Sequence, residues 1–356
     1  GLPGYPTSAM IVFDVFVAPL LRALVGVGKR SLRKINAKAA MRFYSGRGRY
    51  EYMLVNLVKG SEDDYSAYPL LTGSGAITTF AEADGFIEIH ENTEMVAEGT
   101  SLDVILLSDT IKPADLTIIG SHCIGIDLIL SMASKTASLS AKVINVGSSG
   151  GLAAVRRGES DISGTHLIDE STGEYNRPFL RKLRVADKVY LVRGYDREQG
   201  FLIAQGNPKG IESMEDLFRS GVSFINRNPG SGTRVLLDLE LTNLAEKKGT
   251  NLKTVIEKIN GYEIEAKSHS AVAAAVAFGR ADIGLAIKTV AEHYSLDFIP
   301  LREEKYDFAI PKDRMDKPAV KRFLDVLHSN ELSRKLEKTP GLKTTNETGK
   351  IIHSPQ

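Results

Sequence analysis

Along residues 113–352 short apolar runs alternate with stretches whose apolar positions recur at helical spacing. Leu116–Ile119, Lys142–Val146, Asp161–Ser163, Val222–Asn226, Glu263–Ala266 and Asp282–Ile287 read as strands. Several of them run through a Gly- or Ser-rich turn into a helix, one reaching Ala133, one ending at Gly158 and one covering Ala271 to Phe278. That alternation predicts α/β units with parallel strands. Val189–Val192 and Phe201–Ala204 read as two strands flanking a charged turn, with a second return at Phe298–Leu301 and Tyr306–Ile310. Two such returns predict two lobes, two crossovers and a cleft between them.

Residues 29–109 follow another rhythm. Tyr50–Val58 is a strand, Gly85–His90 alternates with period two, and Gly99–Leu107 follows a Glu-Gly turn. Further turns fall at Gly46/Gly48, Gly60, Gly73/Gly75 and Asp84-Gly85, which predicts an all-β barrel or sandwich. Residues 1–28 open with a turn, after which Thr7 or Ser8 is expected to cap a helix running to Val25, with Val12, Phe13, Phe16, Val17 and Leu20 on its apolar side. A lone helix builds no core, so it must pack on something else. The start at Gly1, inside a turn, predicts a fragment or a processed product.

Charge and composition narrow the function. Lys+Arg 45 against Asp+Glu 44 leaves no global field to favour nucleic acid or acidic membranes. Between Val15 and Tyr50 the charges are all basic: Arg22, Lys29, Arg30, Arg33, Lys34, Lys38, Arg42, Arg47 and Arg49. The run reads as a solvated face or as a surface for an anionic partner. It lacks a helix-turn-helix pattern, which argues against nucleic acid. Ala9–Gly28 is broken by Asp14, Pro19 and Arg22 and so falls short of the roughly 20 consecutive apolar residues of a membrane span. With no secretory leader pattern, a cytoplasmic location is expected. The single Cys123 excludes an internal disulfide framework, and the dispersed histidines make a metal cage improbable.

The candidate chemistry sits in turns that follow strands. Asn228-Pro-Gly-Ser-Gly-Thr-Arg234 separates an apolar run from a helix, so Gly230, Ser231, Gly232 and Thr233 bring backbone N–H groups and hydroxyls to a helix start, with Arg234 as an added charge. With no lysine in it, this turn is not a nucleotide P-loop. Ser121, Ser148/Ser149 and Ser268/Ser270 occupy the same topological position after other strands, where open α/β sheets bind ligands. Each serine alone is equally a helix cap. Together they suit a compact, fully ionised oxyanion, which accepts from every side and donates nothing. Hydrogen phosphate would also want a carboxylate for its proton; molybdate, tungstate or sulfate would not. Asp307 either lines such a site, favouring a protonated ligand, or pairs elsewhere. Asp161, Asp169 and Glu170 near His166 read as a carboxylate cluster or as a satisfied loop network. No G-x-S-x-G elbow accompanies Ser148 and Ser149, so catalysis is weakly supported.

Two resemblances cover nearly the whole chain. Gly1-Leu-Pro-Gly-Tyr-Pro-Thr-Ser8 resembles the G-L-P-G-N-P-V-S loop of MoeA/gephyrin-type molybdopterin molybdotransferases, with Tyr5 and Thr7 replacing Asn and Val. Gly73–Ile87, continuing to Glu94 and Gly99, with Arg47-Gly-Arg49 before it, is similar to that family's C-terminal β-barrel. Gly147–Gly151 with Arg156–Gly158, Gly164–Leu167, Asn228–Arg234, Ser268–Val276 and Gly279–Gly284 resemble the periplasmic-binding-protein-like domain appended to some archaeal molybdotransferases and fused to DNA-binding modules in bacterial regulators. The resemblance implies residues 1–28 as a remnant helix of the pterin-binding catalytic domain, 29–109 as the barrel, and 113–352 as a two-lobed type II binding domain. Its first lobe would span about 113–190 and 300–352, and its second about 191–299.

What the resemblance implies is molybdenum cofactor biosynthesis, with molybdopterin and Mg²⁺ as cofactors of the whole family enzyme and molybdate or tungstate as ligand. Gly1, Pro3, Gly4 and Ser8 are all of the catalytic site that carries over. The acidic residues expected for Mg²⁺ are absent, so insertase activity by this chain alone is not expected. Molybdopterin would be met through the missing catalytic part, and a homodimer is compatible with the family. The alternative is an oxyanion- or small-ligand-binding sensor domain without catalysis, a pterin being one such ligand.

Overall fold

The computed structural model describes residues 1–28, 32–70, 83–111, 113–228, 231–266 and 268–355. Lys29, Arg30, the Gly73/Gly75 turn and the site residue Gly230 lie outside the described residues. The chain divides into two compact units, Gly1–Ala114 with Arg157–Glu159, and Asp115–Arg156 with Ser160–Gln356.

The first unit opens with helix Pro6–Val12, a wider π turn over Phe13–Val17, and helix Ala18–Leu24. Pro6, not Thr7 or Ser8, sets its start. The proline stands in the first turn behind Tyr5, which makes no side-chain cap, and its fixed φ and missing N–H suit that position. The polar residues expected to interrupt the apolar stretch do not break the helix. Asp14 sits in the π turn and Pro19 in the first turn of the segment after it. The resulting 19 residues are long and apolar enough, by length and composition, to cross a membrane, and 11% of the stretch is buried. Ile11 anchors the helix on Leu54, Phe86 and Ile105.

Among the described residues seven strands follow: β1 (Lys34–Ala39), β2 (Phe43–Tyr44), β3 (Glu51–Lys59), β4 (Tyr65–Pro69), β5 (Gly85–Ile89), β6 (Met95–Val96) and β7 (Ser101–Leu106). Five close a barrel in the order β1-β4-β3-β5-β7, with β7 returning antiparallel to β1, and β2 pairs β6 beside it. Alternate positions turn inward. Ala37, Ala39, Met53, Val55, Leu57, Ile87 and Val104 therefore meet in one apolar core. Gly99 at φ +81° makes the turn into β7 where an L side chain would be strained. The basic face is partly partnered: Lys38 lies 2.6 Å from Asp64 and Arg47 2.9 Å from Glu94.

In the second unit β8 (Leu116–Gly120) pairs β9 (Ala141–Asn145) in parallel, and β10 (Ser163–Thr165) follows helix Gly147–Arg156. The two apolar–charged–apolar stretches are not pairs of strands around turns. Each is one continuous 15-residue strand, β11 (Val189–Ile203) and, further on, β15 (Asp297–Pro311). Between them come β12 (Phe224–Arg227), β13 (Glu265–Ala266) and β14 (Ile283–Ile287), and after them β16 (Leu342–Lys343) and β17 (Ile351–His353). β11 and β15 pair antiparallel end to end, from Val189↔Pro311 to Ile203↔Asp297, in a sheet ordered β10-β15-β11-β14-β12-β13. The sheet is therefore mixed, not parallel throughout.

The apolar cores separate along these two strands. One half buries Leu116, Ile126, Val192, Phe308 and Phe323. The other buries Phe201, Phe224, Leu237, Leu241 and Ile283. The chain thus builds two lobes on a shared pair of strands. The polar middle of those strands is sealed: Arg193, Asp196, Arg197, Gln199, Glu304 and Asp307 are all buried.

Candidate functional site

In the first lobe β10 runs out into His166, whose backbone N–H donates to Ser148 Oγ at the start of helix Gly147–Arg156 (3.1 Å). The His166 ring joins Ser121, just beyond β8, to the crossing strands. Its Nε2 lies 2.9 Å from Ser121 Oγ, and its Nδ1 faces Glu304 Oε2 at 3.1 Å. Glu304 also pairs with Arg197, its cross-strand partner, and accepts from Gln199 Nε2. Burial opposes ionisation of Glu304, but Arg197 and His166 outweigh it and hold the carboxyl well below its usual range.

The second lobe meets this group from the other side. Helix Gly232–Lys247 starts so close to His166 that a Cβ added at Gly232 would fall 2.8 Å from its Cε1. Thr233 is 1% exposed and its hydroxyl finds no partner among the described residues. Arg227 ends β12 with Nε donating to Ala266 O at 3.2 Å. His269 opens helix His269–Ala277. Burial, followed by the charge of Arg197, pushes the Arg227 guanidinium down to about 10. Burial, followed by Arg227 and Arg197, holds the His269 imidazole well below its usual value.

Two arginines and two histidines therefore share one carboxylate. In and beside this cluster Arg197 Nε, Thr233 Oγ1, His269 Nδ1 and the acceptor Gln199 Oε1 have no hydrogen-bond partner among the described residues. Each such group costs about 1–3 kcal/mol when left unpaired. A bound anion would recover that cost for the donors among them. Next to the cluster a pocket of 480 Å³ lies between the lobes, lined by Ser149, Leu167, Asp169 and Ser171 on one side and Gly232 and Val235 on the other. The larger pocket of 910 Å³, with Arg177, Arg181 and His353, is on another part of the first lobe.

Of the sequence candidates, Ser121, Ser148, Gly232 and Thr233 meet at this junction, and Ser149 lines its pocket. The others do not join them as expected. Arg234 is turned to its own helix: its Nε donates to both Asp238 oxygens at 3.2 Å, and the guanidinium stacks 4.0 Å over Tyr262. Ser231 and Ser268 are helix caps whose oxygens accept from Arg234 N and Ala271 N. Asp307 pairs rather than lines, accepting from Arg193 Nη1 and Asn176 Nδ2 at 2.8 Å each. The carboxylate cluster around His166 does not form, because Asp161 pairs with Lys317 at 2.6 Å and Asp169 accepts from Ser171 and Thr172 of its own turn. Gly1, Pro3 and Gly4 are exposed ahead of the first helix of the other unit, and Ser8 lies in its first turn.

Sequence reasoning missed Arg197, Arg227 and Glu304. Arg227 stood one residue before the Gly-rich turn. Arg197 and Glu304 lie in charged runs between apolar segments, which read as turns, and the only signal that could have found them is their opposite signs.

Comparison with known proteins decides the family. The PBP superfamily domain model matches residues 130–328. The chain belongs to the PBP superfamily. Ahead of this PBP-superfamily domain, residues 36–107 match the MoeA C-terminal region (domain IV). The Bacillus subtilis protein YvgK is 35% identical over 206 residues, 58% of this chain and 63% of its own length. Molybdopterin molybdenumtransferase 1 of Mycobacterium tuberculosis is 30% identical over 112 residues, and this chain spans 26% of it. In fold, the PBP-superfamily domain is similar to the sulfate-binding protein SubI from Mycobacterium tuberculosis, with a TM-score of 0.50 and 16% identity over 65% of this chain and 87% of that one.

Among the described residues no group of three or more His, Cys, Asp or Glu is placed to hold a metal ion. No insertion step is assigned to these residues.

Proposed function

We propose that this chain is the C-terminal portion of a molybdopterin molybdotransferase whose PBP-superfamily domain binds molybdate or tungstate and presents it for cofactor assembly. The observation that carries the reading is the set of unpartnered buried groups where the two lobes meet, Thr233 Oγ1 and His269 Nδ1, beside the buried guanidinium groups of Arg197 and Arg227. Downstream of a MoeA-type barrel, an oxyanion store or carrier is the activity that such a cluster supports.

The chemistry favours a fully ionised ligand. Glu304, the carboxylate among these groups, is engaged by Arg197, His166 and Gln199. It is held ionised, but its oxygens already accept from the protein and leave little capacity for a ligand proton. Molybdate, tungstate and sulfate are dianions near neutral pH and need no such acceptor. Closure of Gly232 onto His166 supports a clamp in which both lobes contribute donors, because a desolvated dianion requires several. Calorimetric titration with molybdate, tungstate, sulfate and phosphate tests the reading. Tight binding of the first two is expected, with phosphate weakest, and no heat with any of the four would contradict it.

A further inference from the structure

Resting on this oxyanion reading, we infer that His269 is itself an anion-binding residue that engages the ligand as imidazolium, so that each dianion enters together with a proton from solvent. Nothing in the sequence marked this histidine beyond its place after a serine. The geometry does. His269 starts a nine-residue helix, where free backbone N–H groups and the helix dipole already favour negative charge. Its Nδ1 is sealed from solvent and has no partner among the described residues, although the residue keeps part of its surface exposed. Thr233, 1% exposed and equally unpartnered at its hydroxyl, supplies an independent donor from the helix start that meets His166.

The groups that act on the imidazole come from the strands around it. Arg227 on β12 and Arg197 on β11 repel its protonated form, Glu304 on β15 attracts it, and His166 beyond β10 adds a weaker repulsion. β14 and helix Lys288–His293 pack Ala286, Val290 and Ala291 against Val272, Ala273 and Val276 of the helix that His269 opens. In the free protein burial and the two arginines keep the ring neutral. A dianion placed among these groups reverses the local field, since it adds two negative charges where the protein holds one carboxylate. The ring then takes a proton from buffer, and both of its nitrogens can donate. A monoanion reverses the field less, so proton uptake also discriminates between ligand charges.

The test is calorimetry with molybdate at pH 6.5 in two buffers of different ionisation enthalpy. Binding heats should differ between buffers by a net proton uptake approaching one per anion, and His269→Gln should abolish the uptake while weakening binding about tenfold. Histidine ring ¹⁵N shifts of the unmodified chain give a second readout that does not depend on the variant folding. One imidazole should move from the neutral to the imidazolium pattern when molybdate is added. Binding with identical heats in both buffers, or uptake that survives in His269→Gln, would overturn the inference and leave the oxyanion reading standing. Absence of binding in either buffer would overturn both.

Discussion

Two buried charge clusters lie side by side on the crossing strands, and they are built on opposite principles. In one, Arg193 sits between Asp196 and Asp307, with Asn176 donating to Asp307: two carboxylates around one arginine. In the other, Arg197 and Arg227 surround Glu304, with His166 and His269 beside them. The first cluster has two carboxylates to one arginine, so although Arg193 Nε is unpartnered among the described residues, the negative charge around it gives no reason to attract an anion. The second sets two buried guanidinium groups around one carboxylate, with Thr233 Oγ1 and His269 Nδ1 unpartnered among the described residues. Because isolated charges are costly in a protein interior, a cluster whose carboxylates outnumber its cation reads as scaffold, whereas guanidinium groups beside unpartnered donors read as a place kept for an anion.

Removing one carboxylate from each cluster should separate them most sharply. Asp307→Asn and Glu304→Gln each leave a buried arginine short of its partner and should cost about 3–5 kcal/mol in urea unfolding. Molybdate at a hundred times its dissociation constant should return about 2.7 kcal/mol to the unmodified chain. Glu304→Gln should gain more than that, because the anion takes over the missing charge, while Asp307→Asn should not. Equal responses would break the comparison.

The arginines come next. Arg227→Met should weaken molybdate binding by about 1.5–3 kcal/mol, the worth of a hydrogen bond to a charged group. Arg234→Ala should leave affinity nearly unchanged, since its guanidinium serves Asp238 and Tyr262. It should instead cost about 1 kcal/mol of stability. Reversed outcomes in a parallel titration would return Arg234 to the site.

Closure is probed by Gly232→Ala. The added methyl meets the His166 ring, so affinity should fall about tenfold, or about 1.4 kcal/mol. Ligand-induced compaction in small-angle scattering should shrink with it. Full compaction would show that the lobes close elsewhere.

The smallest effect is on pH. His269 has a folded-state pKa below its unfolded value, so below about pH 6.5 the unfolded chain binds the extra proton and stability is lost as pH falls. Glu304 acts in a lower window: its depressed pKa adds stability above about pH 4.3, which is lost as pH falls through its folded value. Saturating molybdate should flatten the first window in thermal melts, and an unchanged slope there would remove His269 from the site.

These tests bear mostly on residues that pattern reading passed over. Period-two alternation made the barrel legible, and strand–turn–helix alternation made the binding domain legible, down to Ser121, Ser148 and the Gly232-Thr233 turn. The crossing strands were not, because a charged run between apolar segments ordinarily marks a turn. Here Arg193 and Arg197 face Asp307 and Glu304 across one ladder, and cross-strand pairing at long separation leaves no local signature. Arg234 was favoured over Arg227 for the same reason. Both flank the Gly-rich turn, and the fold alone decides that one stacks on Tyr262 while the other ends β12 near His269.

The central claim is that a tetrahedral dianion occupies the junction of the two lobes. Crystals grown with tungstate, read by anomalous diffraction at the tungsten edge, test it most directly. The account predicts one tungsten peak whose oxygens lie within hydrogen-bond distance of Thr233 Oγ1 and His269 Nδ1, with Arg227 alongside. A peak confined to the pocket at Arg177 and Arg181, or no ordered tungsten in the second unit, would contradict it.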